Sequence, residues 1–201
     1  MINKQNIIDA GFNKLIKSRH GFLSYNKNDM YIGKSIEKYG EFSHLEAKIF
    51  EQICKAGDVV IEVGANIGAH TLYLSKLVGN GYVFAFEPQR LVFQNLCANL
   101  ALNSISNVFA YQEAISNENG TIIIPECNFK ENNNFGGINI ENTKNGTTVN
   151  RQKLDNFLNK IDRLKLLKID VEGMEIFVIK GAKELIDKFR PIIYIENDRQ
   201  E

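Results

Sequence analysis

The sequence predicts an α/β protein built on an open, doubly wound, mostly parallel sheet with helices on both faces. Three observations carry this. Short, nearly continuous apolar runs alternate with helical patterns from Val59 onward, as strands covered on both faces require. A glycine-bearing turn, Gly64 to Gly68, follows the first run, where such folds place a ligand-binding loop. Five apolar runs each end in a carboxylate: Glu62, Glu87, Glu113, Asp170 and Glu196.

Residues 1–42 are mixed and polar with weak periodicity, and we read them as an N-terminal extension or cap on a main domain of residues 43–201. A helix is expected from Ser43 to Lys55, with Ser43 and Glu46 at capping-box spacing and Leu45, Ile49 and Ile53 on one apolar face. Val59 to Val63 is the first strand, and Ala69 to Val78 a helix closed by Gly79-Asn80-Gly81. Tyr82 to Phe86 is the second strand. Pro88 sits near a helix start, and the helix that follows carries the stripes Val92/Leu96/Leu100 and Phe93/Cys97/Ala101, which predict burial on a broad face. A third strand runs from Val108 to Glu113, and Ile122 to Ile124 adds a small one. Cys127 to Thr148 is rich in Asn and Gly and reads as a long loop. Within it, Asn132 to Gly137 is a candidate acceptor-binding lid, with Phe135 as an apolar contact and the glycines as hinges. Leu166 to Val171 is the fourth strand, a helix passes through Ile176, Val178 and Ile179, and Pro191 to Glu196 is the fifth strand.

Composition narrows the function. The 201 residues suit one ordinary domain, and 24 basic against 24 acidic residues leave no net field to attract nucleic acid. Cys54, Cys97 and Cys127 form no pair and no metal spacing with His20, His44 or His70, so we expect reduced thiols and no metal. No apolar run approaches the roughly 20 residues of a membrane span, and the start has no signal-peptide core, which suggests a cytoplasmic protein.

The chemistry gathers at the strand ends, where open α/β sheets bind their ligands. Acids there also suit the starts of the following helices, so one alone says little, but five on one rim say more. A dinucleotide fold wants G-x-G-x-x-G after the first strand; this chain reads Gly64-Ala65-Asn66-Ile67-Gly68-Ala69. Asn66 stands where the glycine would admit a pyrophosphate, which disfavours a nicotinamide-dependent oxidoreductase. Glu87, ending the second strand, is where an acid accepts hydrogen bonds from ribose hydroxyls. Together the two features point to adenosine without pyrophosphate.

The segments Glu62 to Gly68, Phe86-Glu87-Pro88 and, most specifically, Leu167-Lys168-Ile169-Asp170-Val171-Glu172-Gly173-Met174-Glu175 resemble the FkbM family of class I O-methyltransferases that use S-adenosylmethionine. The resemblance runs from about Tyr31 to Glu196. It implies that Glu62, Gly64, Ala65 and Asn66, in a loop closed by Gly68, line the methionine portion of S-adenosylmethionine. It further implies that Glu87 holds the ribose, that Glu113 and Ala114 lie near the adenine, and that Asp170 sits near the sulfonium. Tyr39 and Glu41 would border the pocket. The acceptor, a hydroxyl on a small metabolite or glycan, needs a base, for which Asp170, Glu196 and His70 are the candidates in that order. His70 has a rival role as a helix residue with a local hydrogen bond, and Glu172 and Glu175 have either an acceptor-side role or one in helix-start electrostatics. The alternative function is a non-catalytic module that binds S-adenosylmethionine.

Class I methyltransferases continue, as the resemblance implies, with two further strands that this sequence does not contain. The fifth strand, 191–196, would then be an exposed apolar edge. Three explanations stand open: a fragment of a longer protein, pairing of two copies along this edge, or a truncated form that binds the methyl donor without turnover.

Overall fold

The structure, a computed structural model, describes residues 6–138 and 145–196. The segment 139–144 of the Asn/Gly-rich stretch and residues 197–201 of the main domain lie outside the described residues.

The weakly periodic start forms a three-stranded antiparallel meander, β1 (Asn6–Ala10), β2 (Asn13–Ser18) and β3 (Gly21–Asn26). Its turns fall at Gly11 and Gly21, both at positive φ, where glycine alone costs nothing. Two helices follow, α1 (Ile32–Tyr39) and α2 (His44–Ile53). The capping box is absent: Ser43 is left-handed, with φ 45°, and its side chain makes no cap bond. The buried side of α2 is also not the one expected. Ala47 and Phe50 are covered, whereas Leu45 is 77% exposed and Ile49 is also exposed. The 43–55 window offers two apolar stripes, and the side carrying the larger Phe50 meets the sheet.

The central unit begins with β4 (Val59–Val63), α3 (Ala69–Val78) and β5 (Tyr82–Phe86), all three with the expected bounds. It continues with α4 (Arg90–Leu102) and β6 (Val108–Tyr111). A small second sheet combines β7 (Ala114–Ile115), β8 (Gly120–Ile124) and β9 (Thr147–Gln152) in the order β7-β9-β8. After a 3-10 turn at Leu154–Phe157 come β10 (Leu166–Ile169), α5 (Glu175–Gly181), α6 (Lys183–Phe189) and β11 (Ile192–Ile195).

Among the described residues the main sheet has five strands in the order β11-β10-β4-β5-β6, every pair parallel. The chain runs outward from β4 to β6, then returns to add β10 and β11 on the opposite side. Strand order therefore reverses between β4 and β10. Period-two alternation divides the strands between two cores. Val59, Ile61, Val63, Phe84, Phe86, Leu167 and Ile169 pack with Phe157, Val178 and Leu185 on one face. Val60, Val83 and Leu166 pack with Phe50, Leu74 and Val78 on the other.

One of the two expected stripes of α4 holds: Val92, Leu96 and Leu100 are buried. The other does not, since Cys97 and Ala101 are exposed. Its place is taken by asparagines. Asn95 Oδ1 accepts the Ser24 hydroxyl at 3.0 Å, Asn99 Oδ1 accepts the Ser24 N–H at 2.6 Å, and Asn103 Oδ1 accepts the Phe22 N–H at 2.8 Å. Asn99 Nδ2 also donates to the carbonyls of Ser24 and Ile67. Spaced at i, i+4 and i+8, the three amides lie along one line of the helix and bind the edge of the N-terminal meander to it.

The Asn/Gly-rich stretch is anchored where it is described. Asn133 donates to the Asn28 carbonyl and accepts from Met30 N–H, and Phe135 is buried against Phe129 with ring centroids 4.5 Å apart.

Candidate active site

The reversal between β4 and β10 opens a crevice at the carboxyl ends of the strands, the place where such sheets bind ligands. A cleft of about 310 Å³ lies here, within the ~300–1,000 Å³ typical of small-molecule sites. Gly64, Asn66, Glu87, Asp170 and Glu196 line its sheet side, one strand end after another. Tyr31, Ile32 and Phe42 line it from the N-terminal region, and Asn134, Gly136 and Gly137 from the anchored loop.

Gly64 sits at φ 84°, and a Cβ there would fall on the Asp170 carbonyl oxygen, so two strand ends meet at van der Waals contact. Its N–H and that of Ala65 both donate to the Phe86 carbonyl, at 3.0 and 2.9 Å. Asn66 follows at φ 50°, a conformation that asparagine tolerates better than most residues. Its backbone N–H donates to Glu87 Oε2 at 3.0 Å, while Gln89 N–H donates to Glu87 Oε1 at 2.8 Å. Each Glu87 oxygen thus spends one acceptor position on backbone. A carboxylate has about four, so about two remain for a ligand's hydroxyls. Burial pushes the Glu87 carboxyl up to about 7, against the pull of the Gln89 and Asn66 N–H groups.

Asp170, one residue past β10, takes Lys168 Nζ at 2.7 Å and is hydrogen-bonded to the Glu196 carboxyl. Burial would raise the Asp170 carboxyl. Lys168 and the Glu196 hydrogen bond outweigh it and hold the group below its usual range.

Other expected site residues are elsewhere. Glu62 is 1% exposed and does not line the cleft. It lies two residues back along β4, accepts the Thr71 hydroxyl at 2.6 Å, and sits 4.0 Å from Lys168 Nζ. Burial pushes it up to about 7, with Lys168 pulling the other way. Ala65 packs among Ala85, Leu96 and Leu100, and Gly68 leaves room for Leu96; both shape the turn from its core side. Glu113 accepts from Gln152, and Ala114 pairs with Arg151 in β7, so neither lines this cleft.

His70 is the plainest correction. It is 5% exposed, with its ring against Phe42 and Phe50, at centroid distances of 5.7 and 5.4 Å. Burial first, and Lys168 second, push its imidazole down to about 3, and the buried ring does not line the cleft, so it is out of reach of an acceptor's proton. The start of α3 turns residue 70 toward α2 and not toward the cleft. Tyr39 and Glu41 likewise border a different depression, with Ser35, Ser43, His44 and Leu45. There Glu41 is held by Arg19 and His44, each at 3.1 Å.

Two residues, one on the rim of the cleft and one buried behind it, were given no role by the sequence reading. Gln89 escaped because it was read as part of a helix start; its Nε2 donates to the Phe135 carbonyl at 2.8 Å and ties the anchored loop to the rim. Lys168 escaped inside an otherwise apolar strand, although Lys-x-Asp spacing on a strand places both side chains on one face.

Residues 62–201 match the family described as the Methyltransferase FkbM domain. Methyltransferase sdnD of Sordaria araneosa is 29% identical over 156 residues, covering 62% of this chain and 60% of its own length. Hexuronic acid methyltransferase AglP of Haloferax volcanii is 27% identical over 138 residues, covering 68% of this chain and 54% of its own. The chain therefore spans little more than half the length of these curated relatives. Among solved structures, a SAM dependent methyltransferase from Aquifex aeolicus aligns with a TM-score of 0.43 at 19% identity, over 77% of this chain and 67% of that one. No helix among the described residues is long and apolar enough to cross a membrane.

Proposed function

The chain belongs to the FkbM methyltransferase domain family, and from that premise we propose that its cleft binds S-adenosylmethionine and methylates a hydroxyl of a small metabolite or glycan. The observation that carries the proposal is Glu87, a buried carboxylate with one backbone N–H on each oxygen and acceptor capacity left over at the rim of the cleft. A ribose diol is the partner that fits such a group. The Gly64 turn fits as well: it is closed by backbone against backbone, and Asn66 occupies the position that a phosphate would need. Backbone groups of Gly64 and Asn66 would hold the methionine portion, and Asp170 and Glu196 face the remaining space, where the acceptor belongs.

Bound there, S-adenosylmethionine would supply an electrophilic methyl group on a sulfonium, open to in-line attack by an acceptor oxygen with the neutral thioether as leaving group. The protein's part is alignment, exclusion of water and removal of one proton. Tyr31, Ile32, Phe42, Asn134, Gly136 and Gly137 wall the cleft. Asp170 takes the acceptor's proton as the oxygen–carbon bond forms. The same proposal includes pairing of two copies along β11, whose Ile192, Ile193 and Ile195 are exposed.

A methyl-transfer assay with labelled S-adenosylmethionine and a panel of sugars and other alcohols tests this reading. Loss of a general base costs about 10²–10⁴-fold in rate, so Asp170→Asn should fall by that order while still binding the methyl donor. Equal transfer by both proteins would remove Asp170 from the reaction.

A further inference from the structure

Lys168 is buried directly behind the carboxyls at the acceptor end of the cleft. In β10 it follows two leucines and precedes an isoleucine, and its side chain is 1% exposed. The strand's period of two turns Lys168 and Asp170 to the same face, and β4 presents Glu62 to it as its register partner. Its ammonium lies 2.7 Å from Asp170 Oδ2 and 4.0 Å from Glu62 Oε1. Asp170 and Glu196 follow the ends of adjacent parallel strands and touch carboxyl to carboxyl, a contact that requires a proton between them.

We propose that Lys168 is a positioning residue whose buried ammonium holds Asp170 as the ionised, proton-accepting member of the pair and leaves the shared proton on Glu196. The inference rests on the methyl-transfer reading for its purpose, but not for its test. In the reaction, the acceptor O–H proton passes to the Asp170 carboxylate as the O–CH₃ bond forms. The S–CH₃ bond breaks, and its electron pair stays on sulfur. One carboxylate and one sulfonium thus become a carboxylic acid and a neutral thioether, with no further reagent.

The groups around Lys168 and Asp170 from every packed element favour this division. From α2 comes Glu46, from β4 Glu62 and from β5 Glu87, all acidic. His70 of α3 is neutral, because burial depresses its imidazole, and burial keeps the Tyr194 hydroxyl of β11 neutral. Glu172 and Glu175 follow in the turn after Asp170. Against this acidic surround Lys168 supplies the compensating charge. Burial opposes that charge, but Asp170 and Glu62 outweigh it and raise the ammonium above its ordinary value. Glu62, more distant and holding the Thr71 hydroxyl, is the weaker claimant.

The test is a carbon-13 NMR titration of side-chain carboxyls in the full chain without any methyl donor, assigned with Asp170→Asn and Glu196→Gln spectra. The pair titrates in two steps. In the unmodified protein the lower step should belong to Asp170 and the upper to Glu196. Lys168→Met should raise the Asp170 step by about 1–3 units, and Lys168→Arg, which keeps the charge, should restore it. A purely structural lysine would lower stability in both variants without moving the Asp170 step in folded protein, and that result overturns the proposal. Should Lys168→Met not fold, the order of steps in the unmodified protein decides: a lower step on Glu196 also overturns it. Calorimetry with S-adenosylmethionine, run separately, shows whether the methyl-transfer reading itself has failed.

Discussion

Glu87 shows how one residue can be costly to the fold and useful to a ligand. Its carboxyl ordinarily loses its proton near 4.5, and burial moves this to about 7. A raised folded-state value means that the native protein binds the proton more tightly than the unfolded chain. The associated stability is present in full below about 4.5 and is lost as pH climbs through about 7. Glu87→Gln mimics the protonated group, so its melting temperature should match the parent protein near pH 4.5 and exceed it near pH 8. Thermal melts across that range check this, and a constant gap would contradict it. Glu62, also raised to about 7, should leave a residual slope in the variant. Hydroxyl donors favour the ionised form, so ligand binding near neutrality should release protons in the parent and none at this site in Glu87→Gln. The position of Glu87 was legible from one local pattern, an acid directly after an apolar run. The paths of Glu62 and Glu113 were not. An acid near a strand tip can point along the rim or across the sheet, and the partners that turn these two away, Thr71 with Lys168 and Gln152, come from elsewhere in the chain.

At the scale of elements, the clearest lesson is α4. Apolar periodicity found the Val92/Leu96/Leu100 stripe, because transfer of those side chains from water drives the packing in any context. It missed the adjacent asparagine stripe, since asparagines count as polar in such a pattern while here they satisfy the meander's edge. Asn99, fully buried with three hydrogen bonds, is the centre of that seam. Asn99→Ala strands the Ser24 N–H and carbonyl and should cost about 1–3 kcal/mol in denaturant unfolding, whereas a loss within error would mean that the seam contributes little. The three N-terminal strands were invisible for a related reason. They are short, carry alternating polar residues, and take their stability from α4. At the opposite side of the sheet the apolar, β-branched β11 pairs, among the described residues, with β10 alone. Ile193→Lys should lower self-association measured by sedimentation if two copies pair there, and an unchanged distribution would exclude that pairing.

For the whole molecule, the alternation of strands and helices predicted the parallel sheet, because few topologies satisfy that sequence of elements, while the strand order shows the reversal between β4 and β10. The site follows from the reversal: Gly64, Glu87, Asp170 and Glu196 are far apart in the chain and adjacent at one rim. The walls of the cleft were less legible. Tyr31, Phe42 and the Asn134–Gly137 segment arrive from regions whose local patterns are weak, and long-range bonds such as Gln89 to Phe135 hold them. The charge of the rim, with its buried lysine behind a carboxyl pair, emerges only when strand register brings Lys168 beside Glu62 and Asp170. The most direct test of this cleft as a methyl-donor site is isothermal titration calorimetry with S-adenosylmethionine, S-adenosylhomocysteine and NAD, on the unmodified chain and on Glu87→Ala. Saturable binding of both adenosyl ligands, none of NAD, and at least a tenfold loss in Glu87→Ala, about 1.4 kcal/mol, is the expected result. Absence of heat with S-adenosylmethionine, or binding that Glu87→Ala leaves unchanged, would contradict it.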